Sequence, residues 1–146
     1  MSDRKNVLMI CTDHWSGSLL GCAGRKDIMT PTLDYLANNG IRYENFYSEC
    51  PVCIPARRSM MTGLTPKTHG DRAYADRMPM PDVPTLAETF RENGYQTMAV
   101  GKLHVYPQRN RIGFEDVILT EEGRYEMGAV DDYQIWLGEH GYLGQE

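Results

Sequence analysis

The chain has 146 residues, 41% hydrophobic and 24% charged, a balance that fits one ordinary globular domain and argues against disorder. Its formal net charge of −5 gives no support to nucleic acid as a partner, and no apolar run nears the roughly 20 residues that span a bilayer. The amino terminus leads into an apolar run of only Val7 to Cys11, shorter than a secretory signal core, so a cytoplasmic protein with reduced thiols is expected. The cysteines, Cys11, Cys22, Cys50 and Cys53, cluster early in the chain, and core-forming segments elsewhere remove the need for a disulfide scaffold.

Asn6 to Thr12 is a continuous apolar run of strand length, suited to a parallel strand buried on both faces. It ends at Asp13-His14, and in open α/β sheets ligands collect outside the carboxyl ends of strands. Residues 17–29 hold three glycines without a clean period and read as loop. Thr30-Pro31 opens a helix, threonine as N-cap and proline at its first position, with Leu33, Leu36 and Ala37 as the inward stripe and Asn38-Asn39-Gly40 as its stop. Ile41 to Ser48 alternates apolar and polar residues and predicts a second strand.

Cys50-Pro51-Val52-Cys53-Ile54-Pro55-Ala56-Arg57 follows and runs into a further helix, closed by Gly63. Residues 64–70 read as a polar turn and residues 71–84, with three prolines, as a surface loop on which Asp71, Arg72 and Arg77 are solvated. Thr85 to Asn93 predicts a helix with Leu86, Ala87 and Phe90 inward. Tyr95 to Val100 predicts a third strand, after which alternation puts Lys102 and His104 on one side and Leu103 on the other. A short strand is expected within Gly113 to Ile118, a solvated Glu121-Glu122 pair after it, and a last helix over Asp131 to Leu137. Alternating strands and helices predict an α/β fold with a largely parallel sheet.

The strand-end groups are Asp13, His14, Cys53, Arg57, Lys102 and His104. A thiol at a helix N-terminus sits at the positive end of the helix dipole, and Arg57, one turn on, faces the same small volume. Asp13 with His14 can help to hold a divalent cation, Arg57 and Lys102 can neutralise an oxyanion, and His104 can serve as acid or base. Together they describe displacement at a sulfuryl or phosphoryl centre. Duller readings fit each part singly: Cys50-x-x-Cys53 as half a zinc site, though no second cysteine pair exists, or as a redox pair, though Pro55-Ala56-Arg57 is foreign to that context.

Cys53-Ile54-Pro55-Ala56-Arg57, followed by Met61-Thr62-Gly63 and Pro66-x-x-His69-Gly70, resembles the signature of the type I sulfatases. Three further segments agree in order: Asn6 to Asp13 resembles that family's first strand and metal-binding acid, Thr30 to Ile41 its first helix, and Gly101-Lys102-x-His104 with Gly113-Phe114 its Lys-x-His segment.

The resemblance implies an alkaline-phosphatase-like α/β fold, incomplete in this chain, with residues 1–146 as the amino-terminal portion of a sulfatase catalytic domain. It implies a hydrolase of small-molecule sulfate esters, in which the motif cysteine, Cys53 here, is converted to Cα-formylglycine by a formylglycine-generating enzyme. The hydrate of that aldehyde attacks sulfur in the family and keeps a second hydroxyl with which to expel sulfate. Arg57 would then hold the hydrate and the metal site, Lys102 the sulfate oxygens, and His104 the hydrate. Asp13, with His14 and the converted Cys53, would face a divalent cation, calcium first, with magnesium or manganese as alternatives. His14 stands where family members carry Asp or Gln, and Ala56 where serine is commoner. The family's remaining metal ligands lie in its second half, so a further portion or an oligomeric partner is expected to complete the site. A phosphonate monoester or phosphodiester hydrolase, and a non-catalytic chain, are the alternatives.

Overall fold

The computed structural model describes residues 4–121, 128 and 130–142. The chain forms two compact units, Met1–Phe46 and Tyr47–Glu146.

In the first unit the regular elements are a 3-10 turn, Gly21–Ala23, and helix α1, Pro31–Asn39. Proline opens α1 as expected, but Thr30 does not cap it through its side chain. The Thr30 hydroxyl instead accepts the Gly21 N–H at 2.8 Å and donates to Asp34 Oδ1 at 3.0 Å, while Asp34 Oδ1 also accepts the Cys22 N–H at 2.7 Å. Threonine and aspartate, one helical turn apart, thus bind the 3-10 turn to the start of α1. The expected inward stripe is not buried: Leu33 and Leu36 are exposed. Residues 6–12 and 41–46 take no strand, and Val7, Leu8, Met9, Ile10, Ile41, Tyr43 and Phe46 are exposed. A strand exists only when a neighbour answers its N–H and C=O groups, and apolar content predicts burial without supplying that neighbour.

The second unit holds α2, Cys53–Thr62; α3, Pro66–His69; α4, Leu86–Glu92; β1, Met98–Gly101; β2, Asp116–Leu119; and α5, Asp132–Glu139. Local chemistry sets their ends. Gly63, with φ 69°, closes α2 in the left-handed conformation that glycine takes without penalty. Thr65 caps α3, a single turn where a non-helical turn was expected, and Thr85 caps α4. Asp131 and Gln134 form a capping box at the start of α5.

The two strands are parallel, with Met98 opposite Asp116 and Gly101 opposite Leu119. One face is inward, carrying Ala99, Val117 and Leu119; Met98, Val100 and Ile118 are exposed on the other. The core joins Met61 of α2, Leu103 and Val105 just past β1, Ile112, and Leu119 of β2. Ala87 is the buried residue of α4; Leu86, expected inward, is exposed, because one side of so short a helix meets the core. The loop at Gly113, φ 95°, runs so close to α4 that a Cβ there would lie 2.5 Å from the Glu88 nitrogen and 2.8 Å from Thr85 Oγ1. The connection over residues 102–115 carries the Lys-x-His segment and is pinned by this core through Leu103.

Candidate active site

Asp13 and His14 belong to the first unit; Cys53, Arg57, Lys102 and His104 belong to the second. Asp13 is exposed, and its Oδ1 lies 4.0 Å from His14 Nε2. Among the described residues no group of three or more His, Cys, Asp or Glu side chains is arranged to hold a metal ion. One carboxylate and one imidazole fall short of the six or more oxygens a hard cation takes, so these residues do not by themselves fit calcium, magnesium or manganese.

In the second unit Cys53 is a free, half-buried thiol at the first position of α2. Val52 before it is extended and provides no side-chain cap, so the opening N–H groups of α2 are left for another acceptor. Pro55 removes one of those donors and packs inward, fully buried. Arg57 Nη1 donates to the backbone carbonyl of Lys102, which joins the helix that bears the thiol to the segment that bears Lys102 and His104. Lys102 is half-buried; Leu103 and His104 are both buried. The expected alternation therefore breaks at His104, whose φ of 54° turns the chain into the left-handed region.

Asp71, read as solvated surface, proves to be interior, whereas Arg72 and Arg77 are exposed as expected. Asp71 is 1% exposed, with Oδ2 3.8 Å from Arg58 Nε, and Arg58 donates to the carbonyls of Pro79 at 2.5 Å and Met78 at 2.6 Å. Burial lowers the Arg58 pKa below its ordinary value, and Asp71 opposes that shift. His69 is buried beside them, its Nε2 3.0 Å from Ser59 Oγ and its Nδ1 accepting the Asp71 N–H at 3.2 Å. Desolvation first and then Arg58 lower the His69 pKa, and Asp71 opposes them. This network joins Arg58 and Ser59 of α2 to His69 of α3 and to the loop at Asp71, Met78 and Pro79.

Glu121 is also 1% exposed, and its carboxylate accepts the backbone N–H groups of Leu103 and His104. Glu122, its expected partner on the surface, lies outside the described residues. The signal for Glu121 was its position just past the carboxyl end of a strand, the rule that singled out Asp13. Nothing comparable marked Arg58 or Asp71, whose partners are set by a fold-back of the loop over residues 71–84.

On helix α5, Asp132 accepts from Arg109 at 2.6 Å and from the Leu119 N–H at 2.6 Å. Burial alone would raise the Asp132 carboxyl, but the Leu119 N–H and Arg109 outweigh it and leave the pKa below its ordinary value. This pair fastens α5 to β2. No helix of the described residues is long and apolar enough to cross a membrane.

Comparison with known proteins agrees with the motif order. The arylsulfatase of Clostridium perfringens is 36% identical over 147 residues, covering 93% of this chain and 31% of that protein. Human iduronate 2-sulfatase is 37% identical over 105 residues, covering 70% of this chain and 19% of that protein. Among solved structures, that of Ps i-CgsB superposes with a TM-score of 0.64 at 28% identity, covering 88% of this chain and 31% of the other. The chain thus spans under a third of the length of these relatives. The fold is the α/β, alkaline-phosphatase-like one expected, incomplete here and represented by a parallel pair of strands among the described residues. The profile of the family described as Sulfatase matches residues 5–145, and the chain belongs to the sulfatase family.

Proposed function

We propose that this chain carries the nucleophile-bearing and anion-binding segments of a sulfuric ester hydrolase, with Cys53 converted after translation to Cα-formylglycine. Residues 1–146 are then the amino-terminal portion of its catalytic domain. The observation that supports this most directly is the hydrogen bond from Arg57 to the Lys102 carbonyl, which holds the start of α2 and the Lys-x-His segment on one frame. An oxyanion brought to the mouth of α2 would meet uncommitted N–H groups, a guanidinium and an ammonium.

Formylglycine supplies an aldehyde whose hydrate is an oxygen nucleophile with a second hydroxyl to spare. The chain's own residues do the rest. Arg57 offers a planar fork to negative charge, Lys102 a compact point charge, and their fixed placement lowers the cost of reorganising around a transferring sulfuryl group. The buried His104 ring holds or releases a proton at a ring nitrogen. The formylglycine-generating enzyme would read Cys53-x-Pro55-x-Arg57, and because Pro55 is fully buried it has to meet the segment before α2 packs. Asp13 would supply one oxygen toward a divalent cation, calcium first, with the remaining ligands contributed by a further portion of the enzyme. A cytoplasmic setting is part of this reading, in keeping with Cys11, Cys22 and Cys50 as unpaired thiols.

Two measurements on the intact protein test the reading. The peptide containing Cys53 should be lighter than its cysteine form by the exchange of sulfur for oxygen and the loss of two hydrogens. Turnover of an aryl sulfate should exceed that of an aryl phosphonate; activity on the phosphonate alone would sink the sulfatase assignment in favour of a phosphonate monoester or phosphodiester hydrolase.

A further inference from the structure

We infer that Glu121 is the positioning residue of the Lys102–His104 segment, an assignment that rests on the hydrolase reading above. Its side chain is 2% exposed. Glu121 Oε1 accepts the Leu103 N–H at 2.8 Å and the His104 N–H at 2.9 Å, and Oε2 lies 3.2 Å from the same His104 nitrogen. Oε2 is also 3.7 Å from His104 Nε2. One carboxylate therefore receives two consecutive backbone N–H groups and flanks the ring of the second residue.

That arrangement accounts for a backbone that is otherwise unfavourable. His104 has φ 54°, a region a non-glycine residue seldom enters without compensation. Turning the chain there aims neighbouring N–H groups at one point, the concave donor pair that binds an anion. The anion is the protein's own Glu121, and hydrogen bonds to an ionised acceptor are the strong ones, more so in a dry interior. The turn buries Leu103 and His104 together and leaves Lys102 half-buried, its carbonyl held by Arg57. Glu121 is itself held, its N–H donating to Asp131 Oδ2 at 2.7 Å. It acts through His104, whose backbone N–H it accepts and whose ring it flanks.

In the intact protein with an aryl sulfate as substrate, Glu121→Ala is expected to lower kcat about 100-fold while KM moves by no more than a factor of a few, the pattern of a misplaced catalytic group. Glu121→Gln retains an acceptor oxygen of the same reach and is expected to keep kcat within about tenfold of wild type. Thr85→Ala is the structural control: Thr85 caps α4 and donates to the Ile112 carbonyl at 2.6 Å, bonds in which Lys102–His104 take no part. It should lower Tm as Glu121→Ala does without the kcat loss, measured well below either Tm. Equal kcat losses in Glu121→Ala and Thr85→Ala, or a Gln variant as impaired as the Ala variant, overturn the positioning role.

Amide hydrogen exchange separates this inference from the hydrolase reading. If wild type turns over neither aryl sulfate nor aryl phosphonate, that reading fails, and exchange at Leu103 and His104 decides the role of Glu121 by itself. Slow exchange in wild type and Glu121→Gln with fast exchange in Glu121→Ala upholds it; the same rates in all three overturn it.

Discussion

Arg57 donates from Nη1 to the backbone carbonyl oxygen of Lys102, 45 positions along the chain. The contact uses a main-chain acceptor, so it fixes the Lys102 backbone and not its ammonium group. It also holds the guanidinium in place at the start of α2. A motif read as two separate pieces of sequence is therefore one mechanical unit.

Arg57→Lys is expected to reduce kcat/KM for an aryl sulfate by about 10²–10³-fold, the loss typical of one removed donor at a developing oxyanion. Lysine keeps the charge but cannot present a planar fork to both the Lys102 carbonyl and an anion. Steady-state kinetics on the intact protein checks this. A variant as active as wild type would show that the contact is architectural and that charge alone suffices.

The buried pair of Arg58 and Asp71 predicts a stability effect far larger than any surface pair of this chain. Both side chains are at most 2% exposed, and removing the carboxylate by Asp71→Ala leaves a guanidinium in the interior with carbonyl partners but no anion. Urea unfolding should show a loss of about 3–5 kcal/mol. The Arg58→Met, Asp71→Leu double variant should recover most of it, since no charge is then buried. Arg25→Ala, which breaks an exposed ion pair with Asp27, should cost at most about 1 kcal/mol. A small effect in Asp71→Ala would show that water reaches the pair.

Stability should also fall in mild acid through His69. Its Nδ1 accepts the Asp71 N–H, so the folded chain holds the neutral ring, and the pKa is lowered from its ordinary 6.5. Below that ordinary value the unfolded chain takes up a proton that the folded chain refuses. The stabilising contribution is thus complete above 6.5 and is lost as the pH falls toward and through the lowered folded value. Melting temperatures taken between about pH 7 and about pH 5 should fall more steeply for wild type than for His69→Gln. Parallel slopes would assign the acid sensitivity to other groups.

Local signals carried much of the fold. Helix starts at Pro31 and at the threonine before α4 follow from a proline and a cap, which act within one turn and need no tertiary partner, whereas the single turn at Pro66 was read only as a polar turn. The last helix, expected over Asp131 to Leu137, forms as α5, and the Asp131–Gln134 box is what the structure adds at its start. The strands divided differently. Met98–Gly101 and Asp116–Leu119 formed because each answers the other, whereas residues 6–12 and 41–46, equally strand-like in composition, have no partner among the described residues. Pairing is a property of two segments and cannot be read from one.

The sequence by itself determined the family, the order of its motifs and the candidates Asp13, His14, Cys53, Arg57, Lys102 and His104, because residue type and spacing are what such motifs consist of. The tertiary structure alone decided which groups support them. Asp71 and Glu121 read as solvated in the sequence, Arg58 and His69 carried no sign of burial there, and all four are interior because chain from distant positions closes over them. A charge is tolerated there only when donors or an opposite charge arrive with the fold, and that arrival is a matter of three-dimensional closure rather than of neighbours in sequence.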